Sequence, residues 1–393
     1  MAGPLSGVRV IELTTMITGS LCGQMLADMG ADSIKIEKKE GGDMFRSWRG
    51  GTYSAQFGAY NRNKRSMTLD MRSDEGREIL LKLVETADVL VENFRPGVMK
   101  RLRLSVEELR ERNPQLIYCS ISGFGEDGPY EKRPAYDAVA QSLSGIASLF
   151  VDPENPQTTG PTISDNITGI NACYGIMAAL FERERGGPPR SLSVNMLESS
   201  IWFLPDPFAN YTQQDIQPSP TARSEASQSH AMRCADGKLL AVHLSSQEKF
   251  WQGVTAAFGV EHMREDPRYA DRMSRIANYF DMGAEFKKAA ATKPRDYWMP
   301  RLEENDVPYA PINTLPEVFD DPQVKHLDTF FEIEHPEEGR QAFSRRAVYI
   351  DGSRDDQPMN PPPQLGEHTD EVLAELGMDA ETAKELRKRG VVG

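Results

Sequence analysis

The chain has 393 residues, of which 39% are hydrophobic, and carries a formal net charge of −14. This composition is typical of a globular protein larger than one average domain. The charge disfavours a general nucleic-acid-binding protein, and no apolar stretch approaches the ~20 residues of a membrane helix. The first residues lack the pattern of a signal peptide, and the separated cysteines form no CxxC pair. We therefore expect a cytoplasmic protein with reduced thiols and no zinc site.

The N-terminal part of the sequence alternates short β-rich runs with amphipathic segments. The runs predict strands over 8–13, 32–38, 88–93 and 116–122, and the segments between them predict helices over 19–30, 73–87 and 105–112. Ser105 followed by Glu108 is a capping-box pattern. Repeated strand–helix–strand units predict a parallel sheet with helices on its faces, and ligands of such sheets bind at the carboxyl ends of the strands.

The second half of the sequence has a different character. Residues 205–229 are polar and rich in Pro, Gln and Ser, which predicts a linker. Residues 231–244 predict a hairpin around Asp236-Gly237. Residues 361–377 and 379–390 predict two short helices that close the chain.

Two basic clusters fall in or next to the predicted loops of the sheet. Residues 61–66 contain three basic residues and no acid, and residues 93–104 contain four basic residues and no acid. A run of this kind is most often a solvated face. Because both clusters lie near the carboxyl ends of predicted strands, binding of a small anionic ligand is the alternative.

Several familiar sites do not fit this sequence. Glu37 ends the second predicted strand, where a ribose-binding acid often lies, but Gly19 and Gly23 do not form the G-x-G-x-x-G pattern of dinucleotide sites. The first histidine is His230, so the parallel-sheet part has no imidazole for general base catalysis. A Ser-His-Asp site confined to that part is excluded.

Asp165 precedes an apolar run with helical spacing and allows two interpretations. An aspartate before a helix is most often an N-cap, although Ser164 would also cap a helix. Alternatively, an ionised aspartate needs no base to attack an activated acyl group. The sequence alone leaves both interpretations open.

Several ordered stretches together resemble the family III CoA-transferases, the CaiB/BaiF group of formyl-CoA transferase and carnitine CoA-transferase. The resemblance covers nearly the whole chain. The matching stretches are 4–46, 61–71, 87–102, 113–146, 165–180, 306–324 and 365–377.

The resemblance implies that Asp165 is the nucleophile, in a site that also contains Tyr136 and Asp137. The carboxylate would form an anhydride with the acyl group and then a thioester with CoA. Acyl-CoA would be a substrate, and neither a permanently bound cofactor nor a metal would be needed. The CoA-binding residues implied by the resemblance are Ile17, Thr18, Lys38, Leu69, Asp70, Met71, Arg72, Asn93, Phe94, Arg95, Arg101, Pro134 and Ala135.

The resemblance also implies an architecture. The fold would be α/β, with a Rossmann-like parallel-sheet domain, a smaller α+β domain, and two ring-like chains interlocked as a homodimer. Residues 1–204 and the return segment 326–393 would form the large domain, 205–225 a linker, and 226–325 the small domain.

The sequence departs from the family pattern at three places. Lys38 stands where the family commonly has arginine, and Gly19-Ser20 replaces Gly-Pro. The run of glycines that covers the active site in some members has no counterpart between residues 200 and 300, where 224–230 occupies the comparable region.

Two rival functions share these features. An α-methylacyl-CoA racemase would need a histidine where Tyr136 stands, and a non-catalytic CoA-binding protein would need an Asp165 that is held by its helix. The sequence does not name the acids. The surroundings of Met16 and Ile17 are apolar, whereas a dicarboxylate such as succinate would require a second cation near Asp165.

Overall fold

The computed structural model describes residues 3–51, 53–245, 247–354 and 358–393. The chain divides into two compact units. The first contains the described residues of 1–150, 156–208 and 330–393, and the second contains those of 151–155 and 209–329.

The first unit is built on a six-stranded sheet in which every neighbouring pair is parallel. Its strands are β1 (Arg9–Leu13), β2 (Asp32–Glu37), β3 (Lys64–Thr68), β4 (Val89–Glu92), β5 (Ile117–Ser122) and β6 (Ser191–Asn195). The strand order is β3-β2-β1-β4-β5-β6. The direction of winding reverses between β1 and β4, which is the position where doubly wound sheets bind their ligands. The predicted parallel α/β sheet is confirmed.

The helices alternate with these strands and continue into the second unit. The first nine are α1 (Thr18–Ala27), α2 (Ala55–Ala59), α3 (Asp74–Glu85), α4 (Val98–Arg101), α5 (Val106–Arg112), α6 (Asp137–Ser144), α7 (Ile163–Glu184), α8 (Met196–Trp202) and α9 (Pro205–Gln214). The others are α10 (Ala222–Ser227), α11 (Glu248–Phe258), α12 (Arg272–Ala277), α13 (Tyr279–Ala290), α14 (Arg295–Glu304), α15 (Leu315–Asp320), α16 (Pro322–His326), α17 (Thr369–Glu375) and α18 (Ala380–Lys388).

Alternate side chains of the strands build a core on each face of the sheet. Ile11 of β1 packs in a cluster with residues of α3, α5, α17 and α18, whereas its neighbour Val10 belongs to a cluster with α1 and α7. Both clusters consist of side chains that are almost fully buried. The C-terminal helices α17 and α18 therefore pack against the same sheet to which the N-terminal strand β1 belongs.

The second unit contains the antiparallel sheet β7 (Ser229–Arg233), β8 (Leu239–His243) and β9 (Tyr309–Pro311). The predicted hairpin around Asp236-Gly237 is confirmed, because β7 pairs with β8 across that turn. A second hairpin, β10 (Phe330–His335) with β11 (Gly339–Ser344), belongs to the first unit. The segment 205–225, expected to be a linker, contains α9 and the start of α10.

Within the described residues, the structure contains no helix with the length and apolar character needed to cross a membrane. All four cysteines are buried and free.

Candidate active site

A cavity of about 260 Å³ opens at the carboxyl ends of the central strands. Its lining includes Thr15–Thr18 after β1, Asn93–Pro96 after β4, Ile121–Phe124 at the end of β5, and Met196 after β6. It therefore lies where the winding of the sheet reverses. Eight of the predicted site residues line it: Ile17, Thr18, Asn93, Phe94, Arg95, Ala135, Tyr136 and Asp165.

Asp165 lies in the first turn of α7 and faces this cavity. The cap position is Thr162, and no side chain caps the helix. Ser164 is fully buried, and its hydroxyl accepts a hydrogen bond from Ser200 of α8 at 2.7 Å. The described residues provide no hydrogen bond or ion pair to the Asp165 carboxylate. Of the two interpretations left open by the sequence, the cap is therefore wrong.

The electrostatic surroundings of Asp165 are unusual for a carboxylate. Burial raises its pKa to about 7, and the negative charge of Asp137 adds to this shift. Both effects disfavour the charged form because it is poorly solvated and lies near a like charge. A half-buried carboxylate that lacks donors is more reactive than one in water, so this environment suits a nucleophile.

Asp137 and Tyr136 begin helix α6 beside Asp165. The Asp137 carboxylate accepts a hydrogen bond from the backbone N–H of Asp165 at 3.2 Å and another from Gln141 Nε2 at 2.5 Å. Gln141 also donates to the carbonyl of Pro161 at 3.0 Å, so the start of α6 and the approach to α7 are tied together. Tyr136 is 60% exposed and contributes to the cavity wall.

The loop after β1 is held rigidly against the cavity. Asn93 accepts a hydrogen bond from the N–H of Thr15 at 2.9 Å and donates to the Thr15 carbonyl at 2.8 Å and to the Thr18 hydroxyl at 3.1 Å. Met16 adopts φ = 63°, an uncommon conformation for a residue with a side chain. Its N–H donates to the buried Asp43 carboxylate at 3.0 Å. Thr15–Thr18 is thus fixed from both sides.

The other predicted CoA-binding residues lie outside the lining of this cavity. Lys38 is exposed after β2, and Arg101 is exposed at the end of α4. Leu69 is only 1% exposed and lies in the hydrophobic core, and the partly buried Met71 packs against the same core. Asp70 and Arg72 form an ion pair of 2.8 Å. Pro134 lines a neighbouring cavity with Arg133, Phe124 and Leu143.

The basic cluster 61–66 is engaged inside the protein. Lys64 pairs with Glu12 at 2.9 Å, and both side chains are fully buried. Arg62 pairs with Asp28 at 2.5 Å, and Arg65 pairs with Asp32 at 2.7 Å. This cluster therefore stabilises the edge of the sheet, and the expectation that it serves an anionic ligand is not supported by its contacts. Glu37 is likewise buried and binds Arg46 at 2.7 Å, so it is not a ribose-binding acid.

Sequence reasoning missed several residues of the cavity wall, among them Met44, Phe124, Glu131, Arg133 and Met196. Arg133 lies only three residues before Tyr136 in the same stretch. Its proximity in sequence to a predicted site residue was the available signal. In the described part of the chain, no group of three or more His, Cys, Asp or Glu side chains is suited to bind a metal ion.

Comparisons with known proteins identify the family of this chain. Residues 5–369 match the family model described as CoA-transferase family III. The succinate–glutarate CoA-transferase of Agrobacterium fabrum is 36% identical over 97% of this chain and 97% of its own length. The formyl-CoA:oxalate CoA-transferase of Bradyrhizobium diazoefficiens is 30% identical over 100% of this chain and 98% of its own.

The fold of this chain also matches that of a solved structure. The crystal structure of a CaiB/BaiF family protein from Brucella suis matches with a TM-score of 0.83 and 32% identity, over 96% of this chain and 100% of that one. The resemblance recognised in the sequence is confirmed by matches over the full chain. The chain therefore belongs to CoA-transferase family III.

Proposed function

We propose that this enzyme transfers CoA from an acyl-CoA thioester to a free carboxylic acid by covalent catalysis at Asp165. The observation that carries this proposal is the Asp165 carboxylate itself. It faces the cavity at the carboxyl ends of the strands, caps no helix, and has a pKa raised by burial to about 7. A free carboxylate in such a place supports a nucleophilic role over a structural one.

The proposed reaction proceeds through two kinds of covalent intermediate. A carboxylate oxygen of Asp165 attacks the thioester carbonyl carbon, the C–S bond breaks, and CoA leaves as a thiolate. The thiolate then attacks the side-chain carbonyl of the aspartyl anhydride, forming an aspartyl-CoA thioester and releasing the donor acid as a carboxylate. Each step exchanges one anion for another, so no proton transfer is needed. Division into such steps lowers the barrier of a difficult exchange.

The acceptor acid repeats these steps in reverse. Its carboxylate attacks the aspartyl-CoA thioester, giving a second anhydride and CoA thiolate. The thiolate then attacks the acyl carbon of the acceptor, which forms the new acyl-CoA and regenerates the Asp165 carboxylate. Asp137 supports this cycle by holding the Asp165 backbone through the N–H of that residue.

We also propose that the thioester end of acyl-CoA occupies the cavity beside Asp165. Ile17, Thr18, Asn93 and Arg95 would contact it from the loops after β1 and β4. Lys38, Asp70–Arg72 and Arg101 would meet the nucleotide end outside the cavity, where the arginine and lysine charges suit phosphate groups. Since Leu69 is buried, only its backbone is available for such a contact.

The acids are proposed to be dicarboxylic. Relatives named for succinate, glutarate and oxalate match this chain over nearly its full length. Racemisation is disfavoured because Tyr136 stands at the position of the required imidazole, and the described residues that line the cavity include no histidine. We further propose a homodimer, supported by exposed apolar side chains on α7 and α8.

The test is intact-protein mass spectrometry after incubation with succinyl-CoA, glutaryl-CoA and oxalyl-CoA. The wild type should gain the mass of CoA less one water, as a thioester requires, and peptide mapping should place it on Asp165. Asp165→Ala and Asp165→Asn should gain none, whereas the surface control Asp152→Asn should be labelled like the wild type. Absence of an adduct with every donor, despite CoA binding, would overturn covalent transfer.

A further inference from the structure

Arg133 has no role in the reaction proposed above. It lines the same cavity as Asp165, in the segment that continues through Ala135 and Tyr136 into α6. Its guanidinium carbon lies 4.2 Å from the centre of the Tyr130 ring. Stacking on an aromatic face leaves the N–H edges of a guanidinium free to donate hydrogen bonds in its own plane.

The charge of Arg133 meets the Tyr130 ring but no carboxylate among the described residues. By contrast, Arg46 in the segment after β2 and Arg62 just before β3 are buried in ion pairs with Glu37 and Asp28. Among the residues that the structure describes, no carboxylate pairs with Arg133. Glu131 lines the same cavity but makes no ion pair with it there. In a chain of net charge −14, a cavity arginine without an acidic partner points to an anionic ligand.

A second cation of the cavity, Arg95, lies in the loop after β4 with the predicted CoA-binding residues Asn93 and Phe94. The two arginines therefore approach the ligand from different segments, one from the proposed CoA loop and the other from the segment leading to Tyr136. This arrangement separates recognition of CoA from recognition of the acyl group.

We propose that Arg133 binds the distal carboxylate of a dicarboxylic acid while the proximal carboxyl group reacts at Asp165. This inference rests on the proposed CoA transfer and adds the residue that selects the substrate class. The planar guanidinium matches a carboxylate in a bidentate pair, which a lysine cannot reproduce. Hydrogen bonds between charged groups of this kind correspond to a discrimination of about 10- to 100-fold.

The test compares acids of equal chain length that differ only in the distal group. Succinyl-CoA serves as the fixed donor, and the acceptor pair is glutarate and pentanoate. In a ping-pong reaction, the acceptor's kcat/KM contains no donor steps, so loss of donor binding does not enter the comparison. Arg133→Met should lower kcat/KM for glutarate about 10- to 100-fold and leave that for pentanoate unchanged or higher.

Three variants sharpen the result. Lys132→Met removes the neighbouring exposed cation, which is absent from the cavity lining, and should behave as the wild type with both acids. Arg133→Lys should recover only part of the glutarate rate. Arg133→Glu should favour 5-aminopentanoate, whose distal group is cationic, over glutarate.

The outcomes separate the two proposals. An equal loss with glutarate and pentanoate, or no loss with either, would overturn the role of Arg133 while CoA transfer by the wild type stands. A wild type that forms no CoA adduct and transfers CoA to neither acid would overturn the proposed function and this inference with it. Circular dichroism of Arg133→Met checks that the exposed substitution leaves the fold intact.

Discussion

The carboxylate of Asp137 accepts a hydrogen bond from the backbone N–H of Asp165 at 3.2 Å and lies close enough to raise the pKa of the Asp165 carboxyl further. Asp137 thus holds the backbone of the proposed nucleophile and adds to the effect of burial on its pKa. The hydrogen bond concerns the backbone of Asp165, whereas the electrostatic effect concerns its side chain. These two roles can be separated by substitution.

The first prediction concerns the pH dependence of the reaction. In the proposed reaction only the ionised Asp165 attacks. Because burial raises its pKa to about 7, kcat/KM for acyl-CoA should fall about tenfold for each pH unit below that value and level off above it. Asp137→Asn keeps an oxygen to accept the Asp165 N–H but removes the negative charge. Its profile should be displaced to lower pH.

Ionisation of the substrate would change the pH profiles of the wild type and of Asp137→Asn equally. It therefore does not affect the displacement between them. Gln141→Glu is the converse variant, because it places a further carboxylate beside Asp137. It should displace the profile to higher pH. Coincident profiles for the wild type and Asp137→Asn would show that Asp137 does not influence ionisation of the nucleophile.

The second prediction concerns the effect of Asp165 on the stability of the folded protein. The pKa of Asp165 in the folded state, about 7, lies above the ordinary value of about 3.9. Stability from this group is therefore fully present below the ordinary value and is lost as pH rises through the folded-state value. Asp165→Asn cannot ionise and should be more resistant to urea than the wild type at about pH 8, with a smaller difference at about pH 5.

Urea unfolding at both pH values measures this difference, and Asp152→Asn serves as the exposed control. A variant that is less stable than the wild type at the higher pH would mean that the folded protein solvates the Asp165 charge well. That result would also weaken the case for a desolvated nucleophile. The expected exchange of stability for function is common at active sites.

The third prediction concerns the support of the loop after β1. Lys35 Nζ lies 3.0 Å from the Asp43 carboxylate, and both side chains are fully buried. Burial alone would raise the pKa of Asp43, but Lys35 and the N–H groups of Phe45 and Met16 hold it below its ordinary value. Lys35→Met would leave this carboxylate buried without a counter-charge, at a cost of about 3–5 kcal/mol.

The double variant Lys35→Met/Asp43→Leu separates stability from positioning. It removes both charges and should recover most of the lost stability. It also removes the acceptor of the Met16 N–H, so KM for acyl-CoA should be higher than in the wild type even though stability is recovered. Lys38→Met, on the exposed side of the same strand end, should change stability by less than about 0.5 kcal/mol. Normal KM in the double variant would contradict a positioning role.

Much of the sheet could be predicted because its central strands are apolar runs. β1, β4 and β5 are buried on both faces, as in parallel sheets. The capping box at α5 was also predicted from the sequence, and both of its hydrogen bonds are present. The edge strand β3 was not recognised, because four of the five residues in its sequence KRSMT are polar. Lys64 pairs with the buried Glu12 of β1 and Arg65 with the partly exposed Asp32 of β2, and no local pattern reveals such partners.

The site was predictable only in part for the same reason. Neither Ser164 nor Asp165 caps α7, because the helix begins after Thr162, and the hydrogen-bond partner of Ser164 is Ser200, 36 residues away. Arg62 lies in a basic cluster and Arg133 follows Lys132, yet the first pairs with Asp28 and the second faces the cavity. Pairing of charges is a property of the fold, so the sequence could not distinguish a structural arginine from a binding one.

The last prediction concerns association of the chain. Ile170, Tyr174 and Phe181 follow helical spacing on α7, and they are 49%, 75% and 65% exposed. Trp202 at the end of α8 is 72% exposed, and α8 packs against α7. A monomer rarely exposes so many large apolar side chains on two packed helices, so we expect them to be covered by a second copy.

Light scattering should show a dimer whose mass persists on strong dilution, because interlocked chains would separate only on unfolding. Tyr174→Glu/Phe181→Glu should yield aggregated or poorly folded protein, since a charge on each aromatic position opposes burial of this surface. Glu184→Gln, at the exposed end of the same helix, should leave the dimer intact. A clean, folded wild-type monomer at low concentration would contradict interlocking, and a monomer at every concentration would contradict the homodimer.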